Sequence, residues 1–265
     1  MRDAKTIGEA ACRVLTAGDP DAKFAAARDA AKAWRAGALA LEEIPASPPD
    51  RPARPPRPEL KGPGDMPRRS AGGTSSRIAM LHAVAHIEFN AIDLAWDLVA
   101  RFGAEVGERT FIDDWVRVGA EEAVHFSLIR QRLQDLGADY GDLPAHDGLW
   151  EAAQETADSL LARLAIVPLV LEARGLDVSP DMAAKFRKAG DEESARCLDV
   201  IYRDEVGHVA AGMRWFRAIC AKSDHDPVEL FQRLVRERFR GPLKPPFNEP
   251  ARSEAGLLRA FYQDL

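Results

Sequence analysis

Four long stretches of this chain repeat apolar residues at steps of three and four, the spacing of one face of an α-helix, and each stripe carries an acid at its centre. In the first, Leu81, Ala85, Ile92, Ala95 and Val99 share a face with Glu88. In the second, Phe111, Trp115, Val118, Ile129 and Leu136 share one with Glu122 and His125. The third runs from about Leu149 and aligns Leu161, Ala165 and Pro168 with Glu172. The fourth sets Leu198, Ile201, Tyr202, Gly212, Trp215 and Ile219 beside Glu205 and His208. An ionised carboxylate on a buried face is costly unless its charge is compensated. Four such acids in four apolar stripes are the feature to explain.

Outside these stripes the pattern changes twice. The first forty residues predict two short helices, the second opened by Asp19 as N-cap with Pro20 in its first turn. From Ile44 to Gly73 prolines and arginines dominate, and proline, which fixes the backbone and removes a donor, predicts an extended strap rather than helix or central strand. After the fourth stripe a tail ending in a short amphipathic helix is expected to pack on the rest. The expected organisation is therefore an all-α chain: an N-terminal helical segment (residues 1–43), the strap (44–74), a helical bundle (75–222) and a C-terminal tail (223–265). Two irregularities are expected in the third helix. Pro168 should kink it one turn before Glu172, and Gly175 to Pro180 should break it, with a short segment restarting toward residue 188.

Composition narrows the class. The chain is rich in Ala, Leu, Arg, Glu and Asp and has 7% aromatic residues, which suits helices better than sheet. A formal charge of −6 over 265 residues gives no general affinity for nucleic acid or membrane. Cys12, Cys197 and Cys220 form no C-x-x-C pair, as in a reducing cytoplasm. The N-terminus carries charges where a signal peptide would need an apolar run, and the longest apolar run, Leu164 to Leu171, is short and contains a proline. A cytoplasmic, non-membrane protein is expected.

The acids then acquire partners. Glu122-Ala-Val-His125 and Glu205-Val-Gly-His208 are two E-x-x-H elements, and on a helix residues three apart share a face, so each aims a carboxylate and an imidazole at one spot. A lone glutamate precedes each element, and the separation from Glu88 to Glu122 matches that from Glu172 to Glu205 to within one position. In an antiparallel pair, residues level with one another lie equally far from the turn. The midpoints fall near Glu105, between Gly103 and Gly107, and at Lys188 and Ala189, beside Gly190. Each lone glutamate can thus stand level with an E-x-x-H.

Two divalent cations resolve the charge problem, since four carboxylates neutralise them and two imidazoles complete the set: Glu88, Glu122, His125, Glu172, Glu205 and His208. Oxygen donors with a few imidazoles suit iron or manganese, with zinc also open, and this donor set is the one used by dinuclear carboxylate sites inside helix bundles. Glu122 and Glu205 are the candidate metal-bridging catalytic residues. Glu121 and Asp204 precede the two motifs, and a ligand histidine commonly gives its other N–H to a carboxylate. Asp204 is accordingly expected to orient His125 and Glu121 to orient His208, with exposed helix charge as the alternative for both.

The stretch from about Ser75 to Ala221 resembles the ferritin-like superfamily, with the order Glu, E-x-x-H, Glu, E-x-x-H intact. HAVAHIEFNAIDLAWD and IYRDEVGHVAAGMRWF resemble a bacterial ferritin-like family of unknown function. The N-terminal helices, the strap and the KPPFNEPAR tail are similar to it as well. The resemblance implies a ferritin-like four-helix bundle holding two iron ions, and the nearest familiar relatives it suggests are di-iron tRNA hydroxylases.

Other polar residues have blander readings. His82 and His86 lie about 240° and 200° around the first helix from Glu88, which predicts hydrogen bonding elsewhere rather than metal ligation. His146 and His225 fall in loops. Tyr202 can meet a ligand carboxylate, transfer an electron or simply pack; Trp115 and Trp215 read as core; Asn90 and Asp93 suggest a polar network. Three functions fit the ligand set: an O₂-activating oxidase or hydroxylase of an organic substrate, fed by an external electron donor; a ferroxidase or metal-handling protein; and a manganese catalase-like enzyme. An RNA substrate would need a basic rim, for which Arg51, Arg54, Arg57, Arg68 and Arg69 are the candidates. A bundle of plain salt bridges is disfavoured by the lack of Arg or Lys on the ligand faces.

Overall fold

The computed structural model describes residues 4–41, 46–62 and 73–265, and among them the regular structure is helical, with isolated bridges Thr6–Ala40 and Leu60–Ala145 in place of strands. The chain divides into two compact units, Met1–Trp150 and Glu151–Leu265.

In the N-terminal unit, α1 (Ile7–Thr16) and α2 (Pro20–Arg35) pack on a long hairpin of α3 (Gly73–Val106) and α4 (Arg109–Asp135). The Asp19 side chain caps α2 by accepting from the Ala22 N–H at 2.9 Å, with Pro20 at the first helical position. The hairpin turns at Gly107, whose φ of 67° only glycine adopts without strain, close to the apex the spacing predicts. The strap residues described here are extended and pinned. The Ala53 N–H donates to the Leu15 carbonyl, the Lys61 N–H to the Ala145 carbonyl, and the Trp150 indole to the Asp50 carbonyl. Among the described residues, α3 alone is long and apolar enough to cross a membrane by length and composition, and 72% of its most apolar window is buried inside the protein.

In the C-terminal unit, α5 (Gly148–Gln154, beginning at the end of the first unit) precedes α6 (Leu160–Ile166), a π turn (Val167–Glu172), α7 (Ala173–Lys188), α8 (Glu192–Lys222), α9 (Pro227–Arg238), α10 (Glu249–Glu254) and a 3₁₀ turn (Arg259–Phe261). α7 and α8 form the second hairpin, turning at Gly190 with φ 74°, and the Asp191 side chain caps α8 on the Ser194 N–H. The kink expected at Pro168 takes the form of the π turn. Proline cannot donate to the preceding turn, and the hydrogen-bond ladder widens there.

The break expected between Gly175 and Pro180 does not occur: α7 runs through both residues. Pro180 leaves the Leu176 carbonyl without its helical donor, and the side-chain amide of Asn248 supplies one at 3.0 Å. A bond from the distant tail offsets the local rule. The tail packs through Phe231, Phe261 and Tyr262, all buried; it carries the unexpected α9, and its end is the three-residue 3₁₀ turn Arg259–Phe261 where the sequence predicts an amphipathic helix.

Candidate metal centre

Glu88 lies near the middle of α3 and Glu122 and His125 near the middle of α4, and all three side chains are buried. One ligand atom from each lies within 4.8 Å of the others. His125 Nδ1 is 3.1 Å from Glu122 Oε2 and 3.4 Å from Glu88 Oε2. Burial lifts the Glu88 carboxyl above its ordinary range, with His125 opposing and Glu122 reinforcing the shift. For His125, burial works against the charged imidazole, and the bonds to Glu122 and Glu88 outweigh it and hold the ring protonated. Two carboxylates and one imidazole gathered in the interior offer two anionic oxygen donors and a nitrogen donor, the set a divalent cation takes when it displaces the shared protons. The donor set therefore fits a metal ion.

Close packing brings the helices together. Gly119, one turn before Glu122, lies against the indole of Trp96; a β-carbon there would stand 2.6 Å from Trp96 Nε1. That nitrogen has no hydrogen-bond partner among the described residues.

The C-terminal unit repeats the motif on different supports. Glu205 and His208 are buried on α8, with His208 Nδ1 3.9 Å from Glu205 Oε2, so both E-x-x-H elements present Nδ1 toward their own glutamate. Glu172 closes the π turn and is half-buried. Gly175, one turn later, passes beside Glu205: a β-carbon there would lie 3.6 Å from its carboxyl carbon. Gly212, four residues after His208, admits Pro168 of the π turn, and a β-carbon at that position would come within 2.6 Å of the proline ring.

Beside the two E-x-x-H elements in sequence, Glu121 bonds Arg117 at 2.8 Å and Asp204 bonds Arg203 at 3.1 Å. The Tyr202 hydroxyl accepts from the Asn248 amide at 3.2 Å. His82 Nε2 accepts from the Gly141 N–H at 2.9 Å. His86 has Nδ1 3.0 Å from the Tyr140 hydroxyl and Nε2 3.0 Å from the His146 carbonyl. A carbonyl at that distance requires a proton on Nε2, so Nδ1 accepts from Tyr140. Burial, chiefly, lowers His86 to about 4. Both histidines are thus engaged away from the triad, as their angular positions predict, and Trp115 and Trp215 are core residues.

Asn90 and Asp93 do belong to a network, and its cations escape sequence reasoning. Fully buried Lys23 donates to Asp93 at 2.5 Å, and Arg54 of the strap bonds both Asp93 and Asn90. Burial pushes the Lys23 ammonium down against the support of Asp93. Arg51 pairs with Asp147. Arg51 and Arg54, considered above for a basic rim, are therefore matched to carboxylates, and Arg68 and Arg69 lie outside the described residues. The signal for Gly119 and Gly212 is present in the sequence, since each stands a turn from a ligand; nothing local marks Lys23 or Arg54.

Residues 16–263 match a family profile described as "Protein of unknown function (DUF455)". An "Uncharacterized protein" of Haemophilus influenzae is 44% identical over 210 residues, covering 77% of this chain and 73% of the relative. No solved structure matches.

Proposed function

This chain belongs to the DUF455 family, proteins of unknown function, and from its residues rather than from that membership we propose that it is a dinuclear metal-carboxylate oxidoreductase on a ferritin-like bundle. The observation that carries this reading is the buried triad of Glu88, Glu122 and His125, two acids and one imidazole gathered within 4.8 Å. Its counterpart in the order of the chain is Glu172, Glu205 and His208. The reading joins the two sets into one site for two ions, iron or manganese.

Such a pair of ions would supply Lewis acidity and a redox centre for reducing dioxygen with electrons from an organic substrate and an external donor. The protein's share is placement. Glu88, Glu122, His125, Glu172, Glu205 and His208 would hold the ions, with Glu122 and Glu205 as the candidate shared ligands and the two imidazoles as the nitrogen donors. Glu121 and Asp204, which also bond Arg117 and Arg203, are the carboxylates assigned to orient the imidazoles. The electron donor is a separate protein or small molecule.

Loading the purified protein anaerobically with iron(II) and then admitting air tests the proposal. Dioxygen uptake above that of buffer, lost in Glu122→Ala and in Glu205→Ala while helical content is kept, is the expected result. A loaded wild-type protein that consumes no dioxygen would sink the oxidoreductase reading.

A further inference from the structure

The KPPFNEPAR segment of the tail is not part of either triad, yet its residues converge on the helix that follows Glu172. That helix is weakened at its start and at its middle. The π turn before it shifts the hydrogen-bond ladder, and Pro180 deprives the Leu176 carbonyl of its donor. Asn248 repairs the second gap through its side-chain amide at 3.0 Å, and its backbone N–H donates to Asp177 at 2.9 Å. Arg252 grips the Asp177 carboxylate with two bonds, 2.8 and 2.7 Å, and both side chains are buried. Arg174 in turn donates to the Lys244 carbonyl at 2.6 Å.

The same Asn248 amide also reaches the second helix of this hairpin, donating to the Tyr202 hydroxyl at 3.2 Å. Tyr202 stands one turn before Glu205 on α8. A single side chain thus ties the segment that begins at Glu172 to the helix that carries Glu205 and His208. Its Oδ1 meanwhile accepts from the Ala251 N–H at 3.3 Å, capping α10, so both ends of the amide are committed.

We propose that Asn248 is a positioning residue for the metal site, fixing the spacing between Glu172 and the Glu205–His208 pair through the Leu176 carbonyl and the Tyr202 hydroxyl. This rests on the metal reading given above. A helix with an interrupted ladder would otherwise drift relative to its neighbour, and outer contacts that orient the ligands have a large hold on metal affinity.

Cobalt(II) titration of the full chain tests this, read by the visible absorption of the bound ion and accompanied by the melting temperature of the metal-free protein. Asn248→Ala should weaken cobalt(II) binding by roughly tenfold or more, the usual scale for such outer contacts, and alter the shape of the absorption band. Tyr202→Phe, which leaves the Leu176 bond intact, should alter the band less. Arg238→Ala is the control: it breaks the bonds to Glu155 and Asp158 on another face of the same unit, so it should lower the melting temperature and leave the band unchanged. A wild-type band and affinity in both Asn248→Ala and Tyr202→Phe would overturn the inference while leaving the metal reading standing. A band that changes equally in Arg238→Ala would overturn it in favour of general destabilisation. Wild-type protein that binds no cobalt(II) would overturn both readings together.

Discussion

In the N-terminal unit the lone glutamate and its E-x-x-H stand on uninterrupted α-helix, Gly73–Val106 and Arg109–Asp135, while in the C-terminal unit Glu172 closes a π turn and the helix after it contains a proline. Each unit steadies its hairpin with a buried carboxylate gripped from a distant segment. Asp93 is held by Lys23 of α2 and Arg54 of the strap, and Asp177 by Arg252 of the tail. The regular hairpin holds its own ladder and uses its network to fasten the strap. The irregular one borrows donors to stay helical at all. The same ligand motif can therefore rest on self-sufficient helix or on helix completed by tertiary contacts, and the two should fail differently.

The largest difference should follow removal of the gripping carboxylates. Asp93→Ala strands two cations in the interior and should cost about 3–5 kcal/mol of stability; Asp177→Ala strands one and should cost less, both read from denaturant midpoints. An Asp93→Ala variant no weaker than Asp177→Ala would break the comparison.

Next comes acid. As pH falls, the unfolded chain protonates the His86 imidazole near 6.5 while the folded one keeps it neutral to about 4. The unfolded state then holds the extra proton, so stability falls across that window, by up to about 3 kcal/mol. Because the raised Glu88 carboxyl contributes an opposite slope in both proteins, urea midpoints of the metal-free protein at pH 7, 6, 5 and 4 should show the wild type losing stability relative to His86→Gln.

Smaller again, Gly119→Ala and Gly212→Ala should each cost about 1–3 kcal/mol through overpacking. Their consequences should diverge. Gly119→Ala meets the edge of an indole, whereas Gly212→Ala pushes on the proline of the π turn, so metal uptake should suffer more in Gly212→Ala. Equal uptake in the two variants would remove the special status given to that turn. The smallest effect is a coupling: with Pro180→Ala restoring the helical donor, Asn248→Ala should lose about 1 kcal/mol less than in the wild-type background. Strict additivity would mean the Leu176 carbonyl does not need the borrowed bond.

The regular hairpin is easy to read from sequence. The matched separations of Glu88 from Glu122 and of Glu172 from Glu205 put the two turns close to where Gly107 and Gly190 make them. The E-x-x-H elements bring Glu122 to His125 and Glu205 to His208 without any knowledge of the rest. Angular position alone separates His82 and His86 from the ligand face. What stays hidden depends on partners far along the chain. Pro180 reads as a helix stop because its remedy, Asn248, lies beyond both α8 and α9. Pro168 reads as a bend because a π turn and a kink share the same local cause. Arg54 reads as solvated linker charge because its partner Asp93 stands on α3 and the accompanying Lys23 on α2, and no periodicity connects the three.

Elemental analysis of freshly purified protein, beside Glu122→Ala and Glu205→Ala, decides whether these residues hold metal. About two iron or manganese ions per chain in the wild type, with the loss of metal in both variants, is the result the proposed function predicts. Metal that survives either substitution, or wild-type protein that stays empty even after anaerobic loading with iron(II) or manganese(II), would contradict it.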